Sequence, residues 1–132
     1  MASLVVNRGL QGIADLASGV AGAPAAIATM TVDDGAAAFA AGNTGLGGPA
    51  NLAKRAFDAT PTRAGEVVTH KATFLTTEGN FTIRRIALHF GAAAGVSGTS
   101  ATLAAGIDAQ SITKTSDFSL GITVRMTYSN VA

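Results

Sequence analysis

Few residues of this chain have types suited to acid–base or ligand chemistry. His70 and His89 are its two histidines, and beside a carboxylate either would suit a general base or a metal ligand. Neither has a second histidine at ligand spacing, and no His-Glu-x-x-His pattern occurs, so structural roles are expected for both. Asp33-Asp34-Gly35 brings an acidic pair without the further oxygen ligands of a calcium loop, and reads as a turn. The glycine-rich stretch "GNTGLGGPAN" (42–51) matches neither a Walker loop nor G-x-G-x-x-G, and reads as a flexible interface loop. No G-x-S-x-G elbow is present, and the lack of cysteine removes thiolate chemistry and disulfides. No catalytic, cofactor or metal site is expected.

The basic pairs Lys54-Arg55 and Arg84-Arg85 are the remaining candidates. Phosphate binding would need a wider basic patch, but 9 basic residues are balanced by 8 acidic ones. Nucleic acid is therefore not an expected partner. Ion pairs across a subunit interface suit these arginines better, with Asp58 or Glu66 as acceptors. The candidate intersubunit contacts are Arg84, Arg85, Lys54, Arg55 and Arg125.

The elements that must position them read as one helix followed by strands. Val6, Leu10, Ile13, Ala14 and Ala17 share one face of a 3.6-residue period, which predicts a helix over 3–18 with Ser3 as N-cap and Gly19 as stop. Gly9 and Gly12 weaken that helix. Beyond it the period becomes two. Strands are expected at 25–32, 53–60, 65–75, 81–90, 101–108, 111–115 and 118–128, with a Gly/Ala-rich loop at 35–51 that includes a short helical turn near 36–41. From Phe118 to Tyr128 apolar and small or polar residues alternate without a miss. In "EGNFTIRRIALHF" (78–90) the apolar parity switches at Arg84-Arg85, which predicts a β-bulge with at least one arginine aimed outward. Residues 86–107 lack charge but are broken by glycines, hydroxyls and His89, so they read as strand, loop and strand, without membrane insertion. The fold class expected is mainly β: a single domain over 1–132, with an antiparallel β-sandwich of six to seven strands from about 25 to 129 behind one amphipathic helix.

Charged residues make up 13% of the chain, about half the usual share. With 48% apolar residues, much of the surface is expected to be covered by other subunits. The Gly/Ala loop and the chain termini are candidates for ordering on assembly.

Read in order, the helix "LVVNRGLQGIADLASG", the strand "IATMTV", the Gly/Ala segment ending "NTGLGG", then "KRAFDATPTRAGEVVTHKATF", "GNFTIRRIALH" and "SITKTSDFSLGITVRMTYS" resemble the small tail-fibre and virion surface proteins of tailed bacteriophages. The resemblance implies a helix before a compact β-sandwich, with Ile83, Ile86, Leu88, Leu120, Ile122 and Val124 in the core and Lys114 just before the last strand. Where this chain has Arg85 before Ile86-Ala87-Leu88, the family often carries an acidic residue. The implied biology is a non-enzymatic, homo-oligomeric component of the virion exterior, often trimeric, made in the host bacterial cytoplasm. Its implied partners are itself, other capsid or tail proteins and a host surface receptor. Tail fibre and capsid decoration (cement) protein both remain open. A carbohydrate-binding module and an enzyme are the readings from other classes, and the shortage of exposed aromatics weighs against the former.

Overall fold

The structure is a computed structural model that describes residues 2–128. The expected end of the last strand near 129 lies outside the described residues. One α-helix and ten strands follow in the order β1 (Ala2–Val5), α1 (Asn7–Ser18), β2 (Ile27–Asp33), β3 (Leu52–Ala56), β4 (Thr62–Ala64), β5 (Val67–Phe74), β6 (Thr82–Ile83), β7 (Arg85–Phe90), β8 (Leu103–Asp108), β9 (Ile112–Thr113) and β10 (Leu120–Thr127). They form three separate antiparallel sheets: β1-β8-β7-β2-β3, β10-β5-β4 and the pair β6-β9. The mainly-β expectation holds, but the strand count and the division into sheets differ from it. Periodicity over four residues or fewer is too short to read, so β1 and β4 went unseen.

The alternation of β10 has its expected consequence. Ile122, Val124 and Met126 are buried while Gly121, Thr123, Arg125 and Thr127 are exposed. The buried set meets Ala72 and Phe74 of β5, and Met30, Val32, Ile86, Leu88 and Ala105 of the five-stranded sheet, in one core. By contrast, all six residues of β7 are buried. Its second face lies beneath residues 35–51, whose Phe39 and Leu46 pack with Val6, Ala87 and Leu103. That segment was expected to order on assembly; instead it folds across the sheet as an Ω-shaped loop. Its ends are closed by Asp34, whose carboxylate accepts the Asn51 backbone N–H at 3.0 Å and side-chain N–H at 2.8 Å. The expected helical turn at 36–41 is absent. The tight turn falls at Ala40–Asn43, where the Asn43 N–H donates to the Ala40 carbonyl at 3.0 Å.

The parity switch at Arg84-Arg85 is a change of sheet rather than a bulge. Thr82 and Ile83 pair with β9, Arg85 begins β7, and Arg84 is the single link between them. The Arg84 N–H donates to the Asp33 carbonyl at 2.8 Å, and its own carbonyl accepts from Gln110 at 2.9 Å. One residue of separation lets Ile83 and Ile86 reach the same core from different sheets.

Helix α1 begins at Asn7, because Ser3 belongs to β1; Val6 takes the N-cap position without a side-chain cap. Gly19 ends the helix at φ 65, as its freedom in the left-handed region allows. The expected apolar face is buried only in part: Val6 is buried and Ile13 packs half-buried against the core, but Ala14 and Ala17 are exposed. Gly9 and Gly12 are buried, while Leu10 is 57% exposed. A Cβ at Gly9 would meet the Ala104 carbonyl, and one at Gly12 would meet the Phe90 ring. The glycines are therefore the contact surface of the helix. Gly9→Ala is expected to destabilise the fold by about 1–3 kcal/mol in urea unfolding, the cost of overpacking, although alanine favours a helix by about 1 kcal/mol. A gain in stability would show that the helix does not approach the sheet this closely.

Candidate functional site

The residues singled out for chemistry are mostly consumed inside the fold. Asp33 and Arg85 stand directly opposite each other on β2 and β7. The Arg85 Nε donates to Asp33 Oδ1 at 2.8 Å, and both side chains are almost fully buried. The guanidinium also donates to the Leu46 carbonyl at 2.7 Å and lies 4.9 Å from the centroid of the Phe39 ring. Burial raises the Asp33 carboxyl above its ordinary range, against the pull of Arg85 and of the Gly35 N–H. Arg85 is thus a fastener within the chain, which corrects its assignment as an intersubunit contact. Sequence reading missed its partner because Asp33 sits at a strand end that equally suits a turn.

Both histidines are buried. His89 lies between two hydroxyls, with Nε2 2.8 Å from Thr31 Oγ1 and Nδ1 3.0 Å from Thr102 Oγ1. Thr102 Oγ1 is in turn 2.9 Å from Ser100 Oγ, so the ring ties β7 to β2 and to the loop after it. Burial lowers the His89 pKa to about 4, and the ring stays neutral across the physiological range. His70 packs on Phe57 at 4.9 Å between ring centroids, with neither nitrogen hydrogen-bonded among the described residues, and burial lowers its pKa too. Neither imidazole offers a nitrogen to solvent, as a general base must. Lys114 is a fastener that the sequence placed but did not explain. Its Nζ donates to the Leu75 carbonyl and to Asn80 Oδ1, each at 2.8 Å, and holds the 75–80 turn.

The other basic residues do not converge. Arg84 and Arg125 are exposed. Lys54 is exposed on β3 but donates to the Val96 carbonyl at 2.7 Å, and Arg55 lies 3.7 Å from Glu78. Asp58, an expected acceptor across an interface, accepts the N–H and the hydroxyl of Thr73 within the chain. Among the described residues no group of three or more His, Asp or Glu side chains could hold a metal ion. The glycine-rich rim at 42–47 borders a shallow surface hollow with no charged side chain in its lining.

A second, more enclosed hollow lies elsewhere. A cleft of about 520 Å³ opens between α1, the inner face of β1 and β8, and the C-terminal half of β10. Ile86, Leu88, Ala105, Ile107 and Met126 contribute apolar surface, and among the described residues Arg125 is its one charged lining residue. Leu10 and Tyr128, 57% and 41% exposed, stand at its mouth. Nothing in the sequence announced the cleft, because it arises from one sheet being wider than the other. Comparison of the chain with protein-family models, curated proteins and solved structures finds no match.

Two outcomes follow from this geometry. Arg85→Met leaves the Asp33 carboxylate buried without its partner and is expected to cost about 3–5 kcal/mol in urea unfolding. Adding Asp33→Leu should recover part of that loss; a double variant no better than the single would mean that the ion pair is not the reason. The His89 pKa is depressed from 6.5 to about 4, so its contribution to stability is whole above pH 6.5 and lost as pH falls toward 4. That loss amounts to about 3 kcal/mol. His89→Gln should flatten the slope of unfolding free energy between those pH values, and an unchanged slope would contradict the burial of this ring.

Proposed function

We propose that this chain is a non-enzymatic structural subunit of a tailed-phage virion, built as an open β-sandwich and assembled with copies of itself and with other virion proteins. The observation that carries the reading is the pairing of a fastened interior with an apolar exterior. Asp33, Arg85, His89 and Lys114 are used to hold loops and strands, while Leu10, Val20, Leu75, Phe118 and Tyr128 remain exposed. Large exposed side chains on a chain with few charges suit surfaces that neighbours cover. The order of sequence features that resembles virion surface proteins supports the same reading. In it, Arg84, Lys54, Arg55 and Arg125 remain available as intersubunit contacts, and the chain sits on the virion exterior as a homo-oligomer, a trimer being the form most common in such proteins.

Of the two roles, a tail-fibre or fibre-base module is preferred, with a capsid decoration protein as the alternative. Quantitative mass spectrometry of purified particles separates them. A few dozen copies or fewer per particle are expected for a fibre component, hundreds would make the chain a capsid decoration, and absence from particles would overturn the virion reading altogether.

A further inference from the structure

The hydrogen-bond pattern of β10 shows which of its backbone groups are spare. The Tyr128 N–H donates to the Glu66 carbonyl at 2.9 Å, in continuation of the β10–β5 register. Bonded pairs recur at every second residue of an antiparallel ladder, so Met126/Val68, Val124/His70, Ile122/Ala72 and Leu120/Phe74 are the pairs that exchange bonds. The N–H and C=O groups of Gly121, Thr123, Arg125 and Thr127 therefore point away from β5, and none has a partner among the described residues. This open edge has no proline, no inward charge and no bulge, and Arg125 is its one charge. Beneath it, Val5 of β1 and Ile107 of β8 are only partly buried, because no strand faces them.

We infer that the cleft beside β10 is the acceptor for an extended arm of a different virion protein, which pairs with β10 as a fourth strand of that sheet. Four donors and four acceptors in a row suit an extended backbone rather than a small molecule, and alternate apolar side chains of the arm fill the cleft. Charge selects the arm further. Arg125 is the one charged residue of the lining, and the arm residue opposite it shares its outward face, so an acidic residue belongs there.

Neither β10 nor β1 of a second copy fits well. Pairing through its own β10 would bring its five-stranded sheet into space that β8 and β1 already occupy. Pairing through its β1 fails on parity. The Val6 N–H donates to the Ala104 carbonyl, so the spare backbone groups of β1 belong to Ser3 and Val5, on the inner face. Those of β10 belong to outward residues, whereas opposite residues of an antiparallel pair share a face. An arm that brings no sheet of its own avoids both conflicts. The proposal rests on the virion reading for the source of the arm alone; the acceptor itself is testable on the isolated chain.

The test is titration of the isotope-labelled full chain with an acetylated and amidated heptapeptide of alternating valine and threonine with glutamate at its centre. Saturation is expected to slow amide exchange at Thr123, Arg125 and Thr127, the three residues that a heptapeptide with its glutamate opposite Arg125 can pair with, by at least about tenfold. A peptide N-methylated at the threonines and glutamate should not bind. A lysine-centred peptide should bind about 2- to 5-fold more weakly, and Arg125→Glu should reverse that preference. Failure to bind, or equal binding of the N-methylated peptide, overturns the strand-acceptor proposal while leaving the particle composition to decide the virion reading. Protection of these amides in the free chain that grows with protein concentration would assign the edge to a second copy and overturn it equally.

Discussion

The buried Asp33–Arg85 pair is the constraint on which the rest of this structure depends. It joins β2 to β7 across the outer face of the larger sheet, and its guanidinium reaches on to the Leu46 carbonyl and the Phe39 ring. Ordering residues 35–51 costs about 1–2 kcal/mol of backbone entropy per residue, and a Gly/Ala-rich segment has few large side chains to offset that. Arg85, with the Phe39 N–H held by the Asp108 carboxylate at 2.8 Å, supplies the polar attachment. The loop then covers Ala87 and Leu103, and β7 is buried on both faces. Close approach explains part of the composition. A Cβ at Gly35 would meet the Arg85 guanidinium, and one at Gly106 would meet the Phe39 ring.

The same economy governs the other polar groups of the interior. His89 holds two threonine hydroxyls, and Lys114 holds a turn. A chain with 13% charged residues commits several of them inward, which leaves apolar and small residues for the outside. The unequal widths of the two larger sheets complete this arrangement. Five strands under three leave β8 and β1 without a facing strand, and they leave β10 with an open edge above an apolar cleft.

Much of the fold was legible where a pattern ran long enough. The eight residues of β10 alternate cleanly and bury Ile122, Val124 and Met126 as expected, while Leu120 is half-buried and Phe118 and Tyr128, read on the same face, lie beyond the strand and are exposed. The core positions Ile83, Ile86 and Leu88 were also identified, because parity reports which face a residue takes even when the strand that holds it is misjudged. The helix shows the opposite failure. Its period was right, but of the expected apolar face only Val6 and Ile13 reach the interior, and the closest contact is made by Gly9 and Gly12. Periodicity detects side chains and is blind to a contact made by their absence. At least one of the two arginines was expected to point outward, and Arg84 does so, while the adjacent Arg85 enters the interior. Which of the two finds a buried carboxylate depends on Asp33, 52 positions away, and no local pattern carries that information.

The central claim is that residues 35–51 are held on the sheet by the chain itself and not by assembly. Amide hydrogen exchange on the isolated protein tests this most directly, at the Phe39 N–H bonded to Asp108, the Gly48 N–H bonded to Gly98 and the Leu103 N–H bonded to Thr44. These three amides are predicted to exchange at least about a hundredfold more slowly than an open chain. Exchange at the open-chain rate would contradict the account, because the loop would then have no fastening of its own.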